Sequence, residues 1–203
     1  MNKKRRVGIY GGTFNPPHVG HVGAAEAFCS AVPLDELIIM PDFLPPHKQI
    51  LCSVSAEDRL RMCELAFSHI KNAYVSDIEI KRGGRSYTSD TLEELSADDR
   101  ELYFLCGTDM LLTLSEWYRP EKIFELATIS YVRRENDDHT TRLINDKIED
   151  YKKRYNARII KIKPSEVRIV SSSDLREAIR KNESSELLPP RVLDFIKEKG
   201  YYL

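Results

Sequence analysis

The sequence predicts an α/β fold built on a mostly parallel sheet with helices on both faces. Two observations carry the prediction. Short, continuously apolar runs recur along the chain, among them Val7-Gly8-Ile9-Tyr10, Leu37-Ile38-Ile39-Met40 and Leu102-Tyr103-Phe104-Leu105-Cys106. Strands covered on both faces read this way, whereas half-exposed strands alternate. Each such run is followed by a turn or loop and then a helical pattern, the rhythm of βαβ units. At 203 residues the chain is long enough for one domain with a substantial core, and no internal repeat divides it. We expect a single domain over 1–203, with a helical C-terminal portion from about residue 171.

Composition narrows the class further. Charged residues make up 31% and hydrophobic residues 41%, which suits a soluble globular protein rather than a disordered one. The net charge of −1 draws neither nucleic acid nor anionic membrane, so neither is expected as a partner. Lys3-Lys4-Arg5-Arg6 is too short and isolated to act as a basic arm. No apolar run approaches membrane-spanning length, and no signal-peptide pattern opens the chain. Cys29, Cys52, Cys63 and Cys106 are scattered, with no C-x-x-C pair, so we expect free thiols and a cytoplasmic protein.

The first strand, Val7–Tyr10, runs into Gly11-Gly12-Thr13-Phe14-Asn15-Pro16-Pro17-His18-Val19-Gly20-His21, and a helix follows. Gly11 and Gly12 allow close approach of a ligand to the backbone. Pro16-Pro17 stiffens the loop. His18 and His21 share a face on the first helical turn, where free N–H groups and the dipole favour an anion. Two imidazoles there can donate to phosphate oxygens. Taken in isolation, an H-x-x-H pair more often packs locally. A metal pair fits worse, because no nearby Cys or His completes a ligand set.

Leu37–Met40 gives the second strand, ended by Pro41. The proline-rich loop Pro41–Lys48 lies beyond a strand end, where His47 and Lys48 can reach a phosphate; a solvated lysine is the plain alternative. Ser55 caps a helix from Ala56 to about Ile70, with Arg59 and Arg61 expected as surface or salt-bridge residues. Tyr74–Ile80 alternates and is expected as the third strand. Gly83-Gly84 turns the chain, and a helix starts at Thr88 or Ser89.

Leu102–Cys106, the fourth strand, ends in Gly107-Thr108-Asp109. Asp109 fits either a helix N-cap or an acceptor for ribose hydroxyls, and one role does not exclude the other. Trp117-Tyr118, holding the single Trp, falls on a connection before Arg119-Pro120. Ile129–Arg133 is the fifth strand. Asp138–Tyr155 is an exposed, charge-rich helix. Ile159–Ile162 is the sixth strand. Val170-Ser171-Ser172-Ser173-Asp174-Leu175-Arg176 then enters a helix whose start offers hydroxyls, N–H groups and an Arg, a second phosphate cradle or an ordinary capped start. Pro189-Pro190 leads a last amphipathic helix.

The full run Gly11–His21 resembles the signature of the nucleotidyltransferase superfamily with the H-x-G-H motif, with Asn15 where many members carry Asp. Val170–Arg176 is similar to the I-S-S-T-x-I-R signature of the same superfamily. Ser86-Tyr87-Thr88-x-Asp90-Thr91, Gly107-Thr108-Asp109 and Trp117-Tyr118 look like its bacterial nicotinate mononucleotide adenylyltransferase branch. The resemblance covers essentially the whole chain. It implies a Rossmann-like, doubly wound fold. It also implies transfer of the adenylyl group of ATP to nicotinate mononucleotide, yielding deamido-NAD and pyrophosphate.

By position, the resemblance puts Gly11, Gly12, Thr13, Phe14, His18, His21, Ser172, Ser173 and Arg176 at ATP. It puts His47, Lys48, Thr88, Gly107, Asp109, Trp117 and Tyr118 at the mononucleotide, with Trp117 stacked on the pyridine ring and the Thr88 and Tyr118 amides at its carboxylate. His18, His21, Lys48 and Arg176 would carry the chemistry. Mg²⁺ would arrive with the ATP phosphates, with no dedicated protein metal site. Members of the branch show Arg-Pro-Gly after the fifth strand, but here Arg133-Arg134-Glu135 stands, which leaves Arg133 without a carried-over role. The rivals are an adenylyltransferase that takes nicotinamide mononucleotide or both mononucleotides, and a non-catalytic nucleotide sensor. A monomer and a homodimer are both open.

Overall fold

A computed structural model gives the fold and describes residues 3–46, 54–133, 137–163, 172–181, 183 and 186–202. Six strands form one sheet: β1 (Arg5–Gly12), β2 (Glu36–Pro41), β3 (Ala73–Val75), β4 (Arg100–Gly107), β5 (Ala127–Val132) and β6 (Ile159–Ile162). Their order is β3-β2-β1-β4-β5-β6, and every pairing is parallel. The Rossmann-like expectation is met. The chain first winds outward from β1 through β2 to β3, then crosses to β4 and winds the other way. The direction reverses between β1 and β4, so the crevice of an open α/β sheet opens at their carboxyl ends.

The apolar runs are continuous because the pleat sends alternate residues into two cores. Tyr10, Leu37, Ile39 and Leu105 join one cluster. It is covered by α1 (Val19–Ala31), α2 (Ala56–Phe67), α8 (Ser172–Arg180) and α9 (Pro190–Lys199). Val7, Ile9, Ile38, Met40, Phe104 and Cys106 join the other. There the cover comes from α4 (Thr88–Leu95), α5 (Thr108–Thr113), α6 (Pro120–Leu126) and α7 (Asp138–Tyr155). Gly8 has no room for a side chain: a Cβ would stand 2.6 Å from Leu34 Cδ1 and 2.9 Å from Phe28 Cε1.

Three expectations are corrected. The expected third strand stops at Val75, and Ile78–Arg82 is a short helix, α3. Two isoleucines at alternate positions mimic a strand, and five residues are too few to show a helical period. The helix capped by Ser55 ends at Phe67 rather than residue 70. Its buried face is Arg59, Met62, Cys63, Ala66 and Phe67, so Arg59 is a salt-bridge residue, with Asp42, away from the surface, whereas Arg61 pairs with Glu64 in solvent. Helix α7 is not wholly exposed. Tyr151 is fully buried and donates its hydroxyl to the Leu111 carbonyl at 2.9 Å.

Candidate active site

The loop after β1 leads straight into α1. His18 is the N-cap and His21 the third helical residue. Their rings stack at 3.6 Å with 28° between planes. The His18 backbone N–H donates to His21 Nδ1 at 3.2 Å, so the neutral His21 ring carries its proton on Nε2. Phe14 stands edge-on to His21 with centroids 5.1 Å apart. The Phe14 ring also fills the place of a Gly12 side chain, whose Cβ would sit 3.2 Å from it. A side chain at Gly12 would therefore press on the Phe14 ring. Gly11 has ordinary space, with Phe104 at 3.7 Å from its ideal Cβ. His18 is buried and His21 half-buried.

The second motif reaches back to this loop. Arg176 on α8 donates through Nη1 to the Asn15 carbonyl at 2.9 Å and through Nη2 to Ser173 Oγ at 3.1 Å. Tyr202 donates its hydroxyl to Asn15 Oδ1. The Leu187 carbonyl accepts from the Val19 N–H at 3.1 Å, so one N–H at the start of α1 is already satisfied by the chain itself. Arg176 and Ser173 thus come beside the β1 loop, while Ser172 opens α8.

The loops after β1 and β2 are fastened to each other. Asp42 accepts from Thr13 Oγ1 at 2.8 Å and from Arg59 Nη1 at 3.1 Å. Arg59 also donates to the carbonyls of Thr13 (2.8 Å), Asp42 (2.7 Å) and Phe43 (3.1 Å). The Phe43 N–H donates to Ser86 Oγ at 2.9 Å, and the Ser86 N–H to the Leu44 carbonyl at 2.9 Å. Beneath Ser86, Glu79 is buried and accepts from Thr91 Oγ1 at 2.6 Å. Burial raises its carboxyl above the ordinary value, against the hydrogen bonds from Thr91 and Ser86 and the charge of Arg82.

The remaining residues gather around β4, α4 and α5. Gly107 caps α5, and Asp109 lies in its first turn with Oδ1 2.7 Å from where a Gly107 Cβ would be. Asp109 is therefore not the N-cap; its carboxylate folds back over Gly107, and a side chain there would push the carboxylate aside. Thr113 Oγ1 donates to the Asp109 carbonyl at 3.3 Å and accepts from Trp117 Nε1 at 3.4 Å. Trp117 sits on the connection, edge-on to Phe104 of β4 at 6.3 Å. Tyr118 is exposed, and its ring lies 4.5 Å from that of Tyr87. Arg119 forms a bidentate pair with Glu93 of α4, both bonds 2.7 Å. These two contacts hold the Tyr118 turn against α4, at its N-cap through Tyr87 and nearer its C-terminal end through Glu93. The Thr88 N–H lies in the first turn of α4, where a helix supplies no acceptor.

His47 and Lys48 lie outside the described residues, as do Val170, Ser171, Arg134 and Glu135. Arg133 has partners of its own, the Asp137 carbonyl at 2.9 Å and Thr141 Oγ1 at 2.6 Å. The thiols of Cys63 and Cys106 are pushed up by burial, which leaves them packing groups rather than nucleophiles. Sequence reasoning missed Arg59, Asp42 and Tyr202. Arg59 had a readable signal: with Met62, Cys63, Ala66 and Phe67 it occupies i, i+3, i+4, i+7 and i+8 of one helix.

The cytidylyltransferase-like family profile matches residues 9–178. A protein of Lachnoclostridium phytofermentans named probable nicotinate-nucleotide adenylyltransferase is 39% identical over 98% of this chain and 100% of its own. One of the same name from Geobacillus kaustophilus is 37% identical over 97% of this chain and 86% of its own. Among solved structures, the Plasmodium falciparum nicotinic acid mononucleotide adenylyltransferase complexed with NaAD superposes with a TM-score of 0.74 at 17% identity. It covers 98% of this chain and 97% of that one, a likeness of fold. The whole-length relatives, the matched profile and the two motifs at one end of the sheet lead to one assignment: the chain belongs to the nicotinate-nucleotide adenylyltransferase family.

Proposed function

We propose that the protein transfers the adenylyl group of ATP to nicotinate mononucleotide, releasing pyrophosphate and forming deamido-NAD. The observation that carries this reading is the junction of the H-x-G-H helix start with α8, made by Arg176 on the Asn15 carbonyl. Two imidazoles, a guanidinium and the Ser173 hydroxyl at this junction, with Ser172 at the start of α8, support the reading. That set suits a triphosphate, which offers only acceptors.

In this reading the mononucleotide phosphate attacks the α-phosphorus of ATP in line, and pyrophosphate leaves. The protein supplies no nucleophile. It aligns the two phosphates and stabilises charge that grows on the leaving group. His18, His21 and Arg176 serve the triphosphate, with His21 Nε2–H as one donor. His47 and Lys48 serve the phosphate shared by the two substrates. Trp117 stacks on the pyridine ring, the Thr88 and Tyr118 amides hold its carboxylate, and Asp109, with Gly107 beneath it, accepts from ribose. Mg²⁺ enters with ATP as part of the substrate. Asp42, a carboxylate at this end, is already committed to Arg59 and Thr13.

The test is pyrophosphate release from ATP by the purified protein across a panel of mononucleotides, with the product identified by mass. Deamido-NAD formed from nicotinate mononucleotide supports the reading. ATP binding without turnover on any acceptor overturns it in favour of a sensor.

A further inference from the structure

We infer that Arg59 is a positioning residue that locks the loop of the ATP half to the loop of the mononucleotide half, fixing the distance between the two reacting phosphates. The inference rests on the functional reading above. Arg59 is 1% exposed, and its contact with the proposed ATP site is to the Thr13 backbone carbonyl. Its guanidinium donates to Thr13 on the loop after β1 and to Asp42 and Phe43 on the loop after β2. Asp42 completes the bridge, since its other carboxylate oxygen accepts from Thr13 Oγ1. One loop leads into His18 and the other toward His47 and Lys48.

Stability alone does not account for this residue. A buried ion pair is often no better than well-packed apolar side chains of equal volume, because desolvation offsets the attraction. Arg59 Nε adds to that cost, having no acceptor among the described residues. What the guanidinium supplies is geometry. A planar fork can hold several acceptors from two backbones in one fixed arrangement, and an ammonium on a flexible stem cannot. In-line transfer depends on the separation of two bound phosphates, and a misplacement of about 1 Å costs on the order of 10²-fold in rate.

The experiment compares wild type with Arg59→Lys, which keeps the charge. A second variant, Arg59→Met combined with Asp42→Asn, removes both charges together and so strands neither. Steady-state kinetics are measured on protein shown to be folded by its melting transition. Hydrogen exchange is followed in peptides covering 11–17 and 41–46 without substrate. Both variants should fold, lose about 10²-fold in kcat, and raise KM for ATP and for nicotinate mononucleotide together. Exchange in both loops should quicken in parallel. A folded variant with wild-type kcat and KM values overturns the proposal, as does a rise in only one KM or unchanged exchange in either loop. Wild type that makes no product overturns the functional reading instead, and the exchange comparison still decides whether Arg59 bridges the loops.

Discussion

At the scale of single residues, the site is a set of donors held by neighbours rather than by long reach. His18 caps α1 and stacks on His21, so both imidazoles are oriented before any ligand arrives. His18→Ala should therefore cost about 10²–10³ in kcat, the usual loss for one preorganised donor to developing charge. Circular dichroism and turnover on the same sample check this, and a folded variant with near-normal turnover refutes it. Glu79 gives a second, pH-dependent expectation. Its carboxyl is raised in the folded protein, so as pH climbs above the ordinary 4.5 the unfolded chain ionises first and folding loses stability. Glu79→Gln removes that ionisation while keeping an acceptor for Thr91. Its melting temperature relative to wild type should rise between pH 4 and pH 7. A difference that stays flat with pH would show that the buried carboxyl does not titrate as argued.

Residues also divide sharply in how readable they were. His18, His21 and Arg176 stand in runs whose types and order are informative in themselves. For Arg59 the sequence allows a surface or a salt-bridge role; the salt bridge to Asp42 is present but buried, as the residue's position on the apolar stripe of α2 indicates. Tyr202 carried no signal at all. Its importance comes from a contact with Asn15, and contacts between distant positions leave no trace in local pattern.

At the scale of elements, β1, β2 and β4 were legible because burial on both faces writes a largely apolar run, and the shorter β5 and β6 because apolar residues flank Ser130 and Lys161 in them. The segment 78–82 failed for the complementary reason. In a helix this short the fold is decided by its ends, Asp77 and Gly83, and not by periodicity. Elements also account for the proposed choice of acid over amide. The N-cap of α4 meets the turn before α6 through the Tyr87–Tyr118 rings, and the Arg119–Glu93 pair holds the same turn to the second half of α4. In the proposed reading, the Thr88 and Tyr118 backbone N–H groups are the donors that meet the ligand's carboxylate. A carboxylate only accepts, whereas a carboxamide turns an NH₂ toward one donor and leaves it unpaired, at roughly 1–3 kcal/mol plus a lost charge-assisted bond. Nicotinate mononucleotide should exceed nicotinamide mononucleotide by at least about 10²-fold in kcat/KM. Trp117→Ala should weaken both and leave their ratio largely intact, because stacking does not read the carboxylate. Equal kcat/KM for the two substrates would mean that these donors do not select.

At the scale of the whole molecule, the two halves of the site differ in how they are joined to the fold. Gly107 ends a central strand and Asp109 directly follows it, while Trp117 lies past α5 with its ring against Phe104 of that strand. The β1 loop instead depends on partners at the far end of the sequence. Tyr202→Phe should raise KM for ATP by about tenfold, the worth of roughly one hydrogen bond, and leave KM for the mononucleotide near wild type. A change in the mononucleotide KM alone would place Tyr202 in the wrong half. The Arg176–Asn15 and Tyr202–Asn15 bonds span 161 and 187 residues. Long closures like these are made after the sheet has brought the ends together, and they can open without disturbing it. On slow heating, turnover should therefore fail some degrees before the sheet melts. Catalysis stopped by warming should return within seconds of cooling, without the chain having unfolded.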